Sequence, residues 1–326
     1  MTKKKGSGLA PAIGGILVGF DQQVFRTQPP ANELVAKGAP LPSAAAAGGG
    51  RLTVGMPNDT DAADRLELSA DGVEAVVDLT AGGRVASLIV AGRELLKTTG
   101  DGPIAWGSFP MAPYAGRVRD GVLRFDGVEH ALPRRLPPHA IHGTVLDRRW
   151  TVLGEGTIGT ELGPEWPFRG RAVQRFELAP DHLTCRLELH ADEPMPASIG
   201  WHPYFARHLE GPGAPLELDL DAGAMLLRDA SGIATDQAVE PGPGPWDDCF
   251  IELRRAPVLR WPGFLELTVE SDCPAWVIYT APEDAICVEP QTAAPNAVND
   301  HPTIVAPGEP LVAEMTRRWR TLERPM

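Results

Sequence analysis

Arg171-Ala172-Val173-Gln174-Arg175-Phe176-Glu177-Leu178 reads with a period of two. Ala172, Gln174, Phe176 and Leu178 fall on one face, and Val173, Arg175 and Glu177 on the other. A few residues on, Leu183, Cys185, Leu187 and Leu189 share a face, with Thr184, Arg186, Glu188 and His190 opposite. Successive side chains of a strand point to opposite sides, so this pattern marks two half-buried β-strands.

Working outward, the same reading recurs. Val73 to Leu79 is apolar-rich and runs into the turn Ala81-Gly82-Gly83. Val85 to Val90 follows, with a turn at Ala91-Gly92. Val122-Leu123-Arg124-Phe125 meets Asp126-Gly127, a strong hairpin signal. Phe264 to Val269 and Trp276 to Tyr279 are further strand candidates. No window holds a clean helical period over three turns. The 35 glycines and 33 prolines multiply turns and disfavour long helices. The class is all-β, a sandwich or barrel.

The first 50 residues differ. Pro29-Pro30, Pro40, Pro42 and the Ala44–Gly50 tract read as a flexible low-complexity arm over residues 1–50, with one domain over 51–326. Lys3-Lys4-Lys5 ahead of Leu9 to Phe20 imitates a secretory signal, but Pro11, Gly14 and Gly15 interrupt the run, which is also too short to span a membrane. Cys185, Cys249, Cys273 and Cys287 form no C-x-x-C pair and read as buried free thiols. Together these predict a cytoplasmic protein. The net charge of −13 argues against nucleic acid and anionic membranes as partners.

Five stretches stand out chemically. In Gly200-Trp201-His202-Pro203-Tyr204-Phe205, proline stiffens the backbone around a titratable ring, directly after a strand-like run. Taken alone, His202 is either a proton-moving group in a pocket or a packed core histidine. In Phe109 to Gly121, two prolines and Gly116 hold Arg117 in a turn. Its planar fork suits hydroxyl oxygens, although a surface arginine beside Arg119 is the simpler local reading. His139-Ala140-Ile141-His142-Gly143 spaces two histidines by three, on opposite faces of an extended segment, so no metal site is expected. His142 reads as a donor to a bound oxygen, because Gly143 permits close backbone approach.

Trp246-Asp247-Asp248-Cys249-Phe250 puts an acidic pair on a loop beside an aromatic. Ile286-Cys287-Val288-Glu289-Pro290-Gln291-Thr292 ends an apolar strand on Glu289, read either as a desolvated carboxylate with its pKa raised toward that of a general base or as a strand-end glutamate that is simply exposed. No G-x-S-x-G, Walker loop or dinucleotide fingerprint is present.

Taken in order, Arg117, His142-Gly143, Gly200 to Phe205, Asp247 three before Phe250, and Val288-Glu289-Pro290 resemble the aldose 1-epimerase (galactose mutarotase) family over residues 60 to 320. The resemblance implies a large antiparallel β-sandwich of the galactose mutarotase-like type. It implies a monosaccharide substrate, no metal and no cofactor, in a monomer or homodimer. By analogy Glu289 takes the proton of the anomeric O1 hydroxyl and His202, as imidazolium, protonates the ring oxygen. The pair is expected to face each other across a sugar-sized cleft, on opposite sides of one carbon, with Tyr204 and Phe205 walling the His202 ring. Arg117, His142 and Asp247 would hold the sugar. Gly116 stands where many members of the family carry Asn.

Two other functions share the scaffold. A hexose 6-phosphate epimerase would need extra cations at the rim, for which Arg169, Arg171 and Arg207 are candidates. A non-catalytic sugar-binding protein is the other. A glycoside hydrolase using Asp247 and Glu289 is more remote.

Overall fold

A computed structural model describes residues 64–211 and 213–322. The expected arm over residues 1–50, and the domain start near Arg51, lie outside the described residues.

Every strand expected from the sequence is present. The quoted pair becomes Gly170–Ala179 and His182–Ala191, antiparallel with Phe176 opposite Cys185. The inward residues Ala172, Phe176, Leu183, Cys185, Leu187 and Leu189 are buried. Asp126 and Gly127 both take positive φ (50° and 76°), as a two-residue hairpin between Val122–Phe125 and Val128–Ala131 requires.

The long pair sits in an antiparallel eight-stranded sheet. Its order is Thr151–Gly154, Thr157–Glu161, Gly170–Ala179, His182–Ala191, Leu311–Thr321, Leu265–Ser271, Val258–Trp261 and Glu217–Asp219. A second sheet has eleven strands. Its centre runs Arg84–Val90, Ser108–Met111, Gly200–Ala206, Ala285–Gln291, Ala275–Tyr279 and Asp247–Leu253. The described residues contain one α-helical turn, Ala297–Asp300, and no helix long and apolar enough to cross a membrane.

One apolar core joins the two sheets, with Phe176 and Leu187 from the eight-stranded sheet and Val77, Leu88, Phe205 and Val288 from the other. Gln174, the polar residue on the inward face of its strand, links them. It accepts from Trp201 Nε1 at 2.9 Å and donates to Gly83 O at 2.9 Å. A buried polar group is tolerated when it is satisfied in this way.

Strand alternation then fixes where the chemistry lies. On Gly200–Ala206, Trp201 and Phe205 point into the sandwich core, so His202 and Tyr204 must point the other way. The same holds for Cys287, Glu289 and Gln291 against Ile286 and Val288 on the neighbouring strand. Segments beyond the sheet cover this second face, and these central strands are buried on both sides.

Candidate active site

Five neighbouring strands set a row of side chains on the covered face. Cys249 pairs with Val277, Val277 with Glu289, and His202 with Phe109. Gly200 pairs with Gln291 and Tyr204 with Cys287, so the intervening residues place His202 directly opposite Glu289. Pro203 and Pro290 lie in this gap, and neither has an N–H to give the ladder.

The row floors a cavity of about 220 Å³, below the roughly 300–1,000 Å³ typical of drug-sized ligands. Arg117, His142, His202, Asp247 and Glu289, the five residues singled out by sequence, all line it. Leu136, Ile141 and Pro295 give it an apolar wall.

His202 Nε2 lies 3.1 Å from Glu289 Oε1, and both side chains are almost fully buried. The expected arrangement across a sugar-sized cleft is therefore corrected. The two groups touch side by side on the floor, because their strands are nearest neighbours. His202 also lies within its strand instead of after it, and the Glu289 strand runs on to Gln291. Tyr204 stacks on His202 (4.6 Å between centroids, 11° between planes), but Phe205 does not wall the ring. Phe109 does, from the adjacent strand, at 5.0 Å and 25°.

Burial disfavours charge on both members of the pair. It pushes Glu289 well above the ordinary carboxylate range, helped by nearby Asp247 and opposed by Arg117 and a bond from Gln291. It pushes His202 well below 6.5, with His142 and Arg84 adding to the effect. With both groups buried, the proton of the pair therefore belongs on Glu289, and an imidazolium at rest is not favoured. His142, edge-on to His202 at 4.9 Å, is lowered to about 3 by burial and by Arg117, so it is a neutral ring.

His142 owes its position to two left-handed residues. Its own φ is 58° and that of Gly143 is 82°. A Cβ at Gly143 would stand 1.9 Å from Ala112 O, so a glycine is needed where the chain passes the Ala112 backbone. His139 takes a different path. It accepts from Asp120 N–H at 3.0 Å and meets Ser231 O at 3.0 Å, so it braces loops away from the row.

Arg117 spends its fork on the protein, with Nη1 on Gly232 O and Nη2 on Asp247 Oδ2, both at 2.8 Å. Asp247 begins a strand and is not on a loop. It shares the covered face with Cys249 by alternation, and Asp248 lines the cavity as well. At Gly116 (φ 67°) a Cβ would meet Pro295 Cγ at 2.8 Å, so Pro295 occupies the space a side chain there would need.

Sequence reading missed three members of the site. Arg228, from Ala222–Arg228, binds Asp247 Oδ2 at 3.1 Å and Asp248 Oδ1 at 2.8 Å. No local motif marks it. Tyr279 follows from its register opposite Asp247. Gln291 was legible in principle, two residues beyond Glu289 on the same face of one strand.

Among the described residues, one set of side chains has the proximity of metal ligands: His202, Cys287 and Glu289, with ligand atoms within 4.8 Å. Burial raises the Cys287 thiol well above 9 and Glu289 with it, so the surroundings favour protonated groups over the anions a cation needs. All four cysteines are free and buried, as expected.

The site is thus a small cavity with one buried carboxyl–imidazole pair, neutral histidine beside it, and an arginine-held acid at its wall. The aldose 1-epimerase family model matches residues 64–318. A putative aldose 1-epimerase of Escherichia coli K12 superposes with a TM-score of 0.68 at 21% identity, over 79% of this chain and 99% of that one. A galactose mutarotase-like protein of Clostridium acetobutylicum gives 0.71 at 16%, over 83% and 99%. Galactose 1-epimerase of Lactobacillus acidophilus gives 0.66 at 18%, over 84% and 99%. No curated protein matches by sequence. The chain belongs to the aldose 1-epimerase family, and its fold is the antiparallel galactose mutarotase-like sandwich.

Proposed function

We propose that the protein interconverts the α and β anomers of a free, uncharged aldose. The observation that carries this is the buried 3.1 Å contact between His202 and Glu289 on the floor of a monosaccharide-sized cavity. O1 and the ring oxygen are bonded to the same anomeric carbon, so an acid and a base serving them belong side by side. The contact supplies that spacing.

The pair shares one proton. Transfer from Glu289 to His202 across the contact gives carboxylate and imidazolium, the form the reaction uses. Glu289 takes the O1 proton, O1 forms a carbonyl with C1, and the bond from C1 to the ring oxygen breaks. His202 gives its proton to that oxygen. Rotation about C1–C2 presents the other carbonyl face, and the reverse transfers close the ring. No net proton or electron is consumed. Each assisted transfer contributes about 10²–10⁴-fold. His142 and Asp247 hold hydroxyls, and Arg117 fixes Asp247.

A phosphorylated substrate is less well supported. Arg207 is spent on Pro282 O and Thr280 O, Arg169 points toward Glu193, and neither they nor Arg171 lines the cavity. The arginines that do, Arg117 and Arg228, are paired with Asp247 and Asp248. A glycoside hydrolase needs Asp247 as an acid or nucleophile, whereas two arginines hold its carboxylate. The buried free thiols fit a reducing cytoplasm.

Polarimetry of freshly dissolved α-galactose, α-glucose and glucose 6-phosphate is the test. Acceleration of the free sugars above the phosphate is expected. A rate equal to buffer for every sugar, with binding by calorimetry, would instead identify a sugar-binding protein.

A further inference from the structure

Both oxygens of Glu289 are engaged by side chains. Oε1 meets His202, and Oε2 accepts from Gln291 Nε2 at 3.3 Å. Gln291 is fully buried, and its own Oε1 is buried with no hydrogen-bond partner among the described residues. A bare acceptor in a dry site is costly, and an alkyl side chain would pack there without that cost. The room for Gln291 is itself specific. Gly200 lies opposite it, and a Cβ at Gly200 would stand 3.2 Å from Gln291 Cγ and 2.4 Å from Pro290 O.

A donor for that orphan acceptor arises when the proton taken from substrate O1 lands on Glu289 Oε2; a proton on Oε1 faces His202 and leaves Oε2 accepting from Gln291 Nε2. A carboxylate only accepts, whereas a carboxylic acid also donates. Rotation of the terminal torsion of Gln291 exchanges Nε2 and Oε1 in front of Glu289 Oε2. We propose that Gln291 is a positioning residue whose amide serves Glu289 in both protonation states, offering Nε2 to the carboxylate and Oε1 to the acid. This rests on reading Glu289 as a reacting base, a group that must pass through both states in each turnover.

Other groups also bear on Glu289. His202 and Tyr204 face it from one neighbouring strand, Tyr279 from the other, Asp247 and Arg117 lie beyond, and Cys287 precedes it on its own strand. None is altered in the test. Infrared titration reads the Glu289 carboxyl band, assigned by its loss in Glu289→Gln. In Gln291→Met that band should titrate about one pH unit higher, a tenfold change in the protonation equilibrium, because the bond to the charged form is the stronger of the two. In the mutarotation assay kcat falls about tenfold, KM stays within about twofold, and the alkaline limb of the pH profile moves upward with the infrared midpoint.

A folded Gln291→Met protein with an unmoved Glu289 midpoint overturns the proposal. Should that variant fail to fold, wild type with isotope-labelled glutamine decides instead. One glutamine side-chain carbonyl band should shift at the Glu289 midpoint and lose that shift in Glu289→Gln, and a set of glutamine bands all indifferent to that midpoint overturns the idea. If wild type neither turns over nor binds any aldose, the catalytic reading of Glu289 fails, while the infrared midpoints still decide the role of Gln291.

Discussion

The two sheets obey the same alternation and use it differently. In the eight-stranded sheet, Gly170–Ala179 and His182–Ala191 bury one face and leave the other half-buried or exposed. In the centre of the eleven-stranded sheet, Gly200–Ala206 and Ala285–Gln291 are buried on both faces and yet carry histidine, glutamate and glutamine. Burying ionisable groups is costly, and a core built for stability alone would not collect them. The first sheet is scaffold. The second holds its polar residues where water is excluded and where proton positions are set by neighbours.

The comparison is sharpened most by removing the acid–base pair. His202→Asn and Glu289→Gln should each lower kcat by about 10²-fold or more while the protein stays folded. Glu289→Gln should also flatten the pH dependence of thermal stability. The folded-state pKa of Glu289 is raised, so its contribution is full below the unfolded value near 4.5 and is lost as pH rises through the folded one. Melting curves at several pH values check this. A steeper dependence in the variant would contradict it.

Next comes the scaffold of the site. Gly143→Ala forces a Cβ against Ala112 O in a left-handed conformation, costing roughly 1–3 kcal/mol for strain of this kind. It should displace His142 and reduce kcat/KM about tenfold. Arg228→Met should raise KM by about tenfold, the order of one charge-assisted hydrogen bond, with kcat nearly unchanged. That pattern separates holding the sugar from moving protons.

The eight-stranded sheet should respond in stability and not in chemistry. Leu187 is fully buried, and Leu187→Ala should cost about 2–5 kcal/mol with little change in the kcat of folded protein. Arg175 points outward from the same sheet, and Arg175→Ala should stay within about 0.5 kcal/mol. A large loss of kcat in either variant would break the division of labour between the sheets.

Legibility in the sequence follows the same division. Half-buried strands announce themselves by alternation, so Arg171–Leu178 and Leu183–Leu189 were readable residue by residue. The site was readable where proline or glycine marks it, as at His202-Pro203, Glu289-Pro290 and His142-Gly143. Arg228 was not, because it reaches Asp247 through tertiary placement of an unmarked strand. Phe205, adjacent in sequence, is the ring expected beside His202, but it points to the opposite face and Phe109 takes that place. Contact between His202 and Glu289 depends on which strands are neighbours, and no local pattern carries strand order.

The central claim is that this buried pair moves the protons of anomer exchange. Exchange between the α- and β-anomeric protons of galactose or glucose, followed by magnetisation transfer, measures that step without a coupled reaction. Wild type should speed the exchange, and Glu289→Gln at equal concentration, with its fold verified by melting, should fall by about 10²-fold or more. Equal exchange in the two folded proteins would contradict the account.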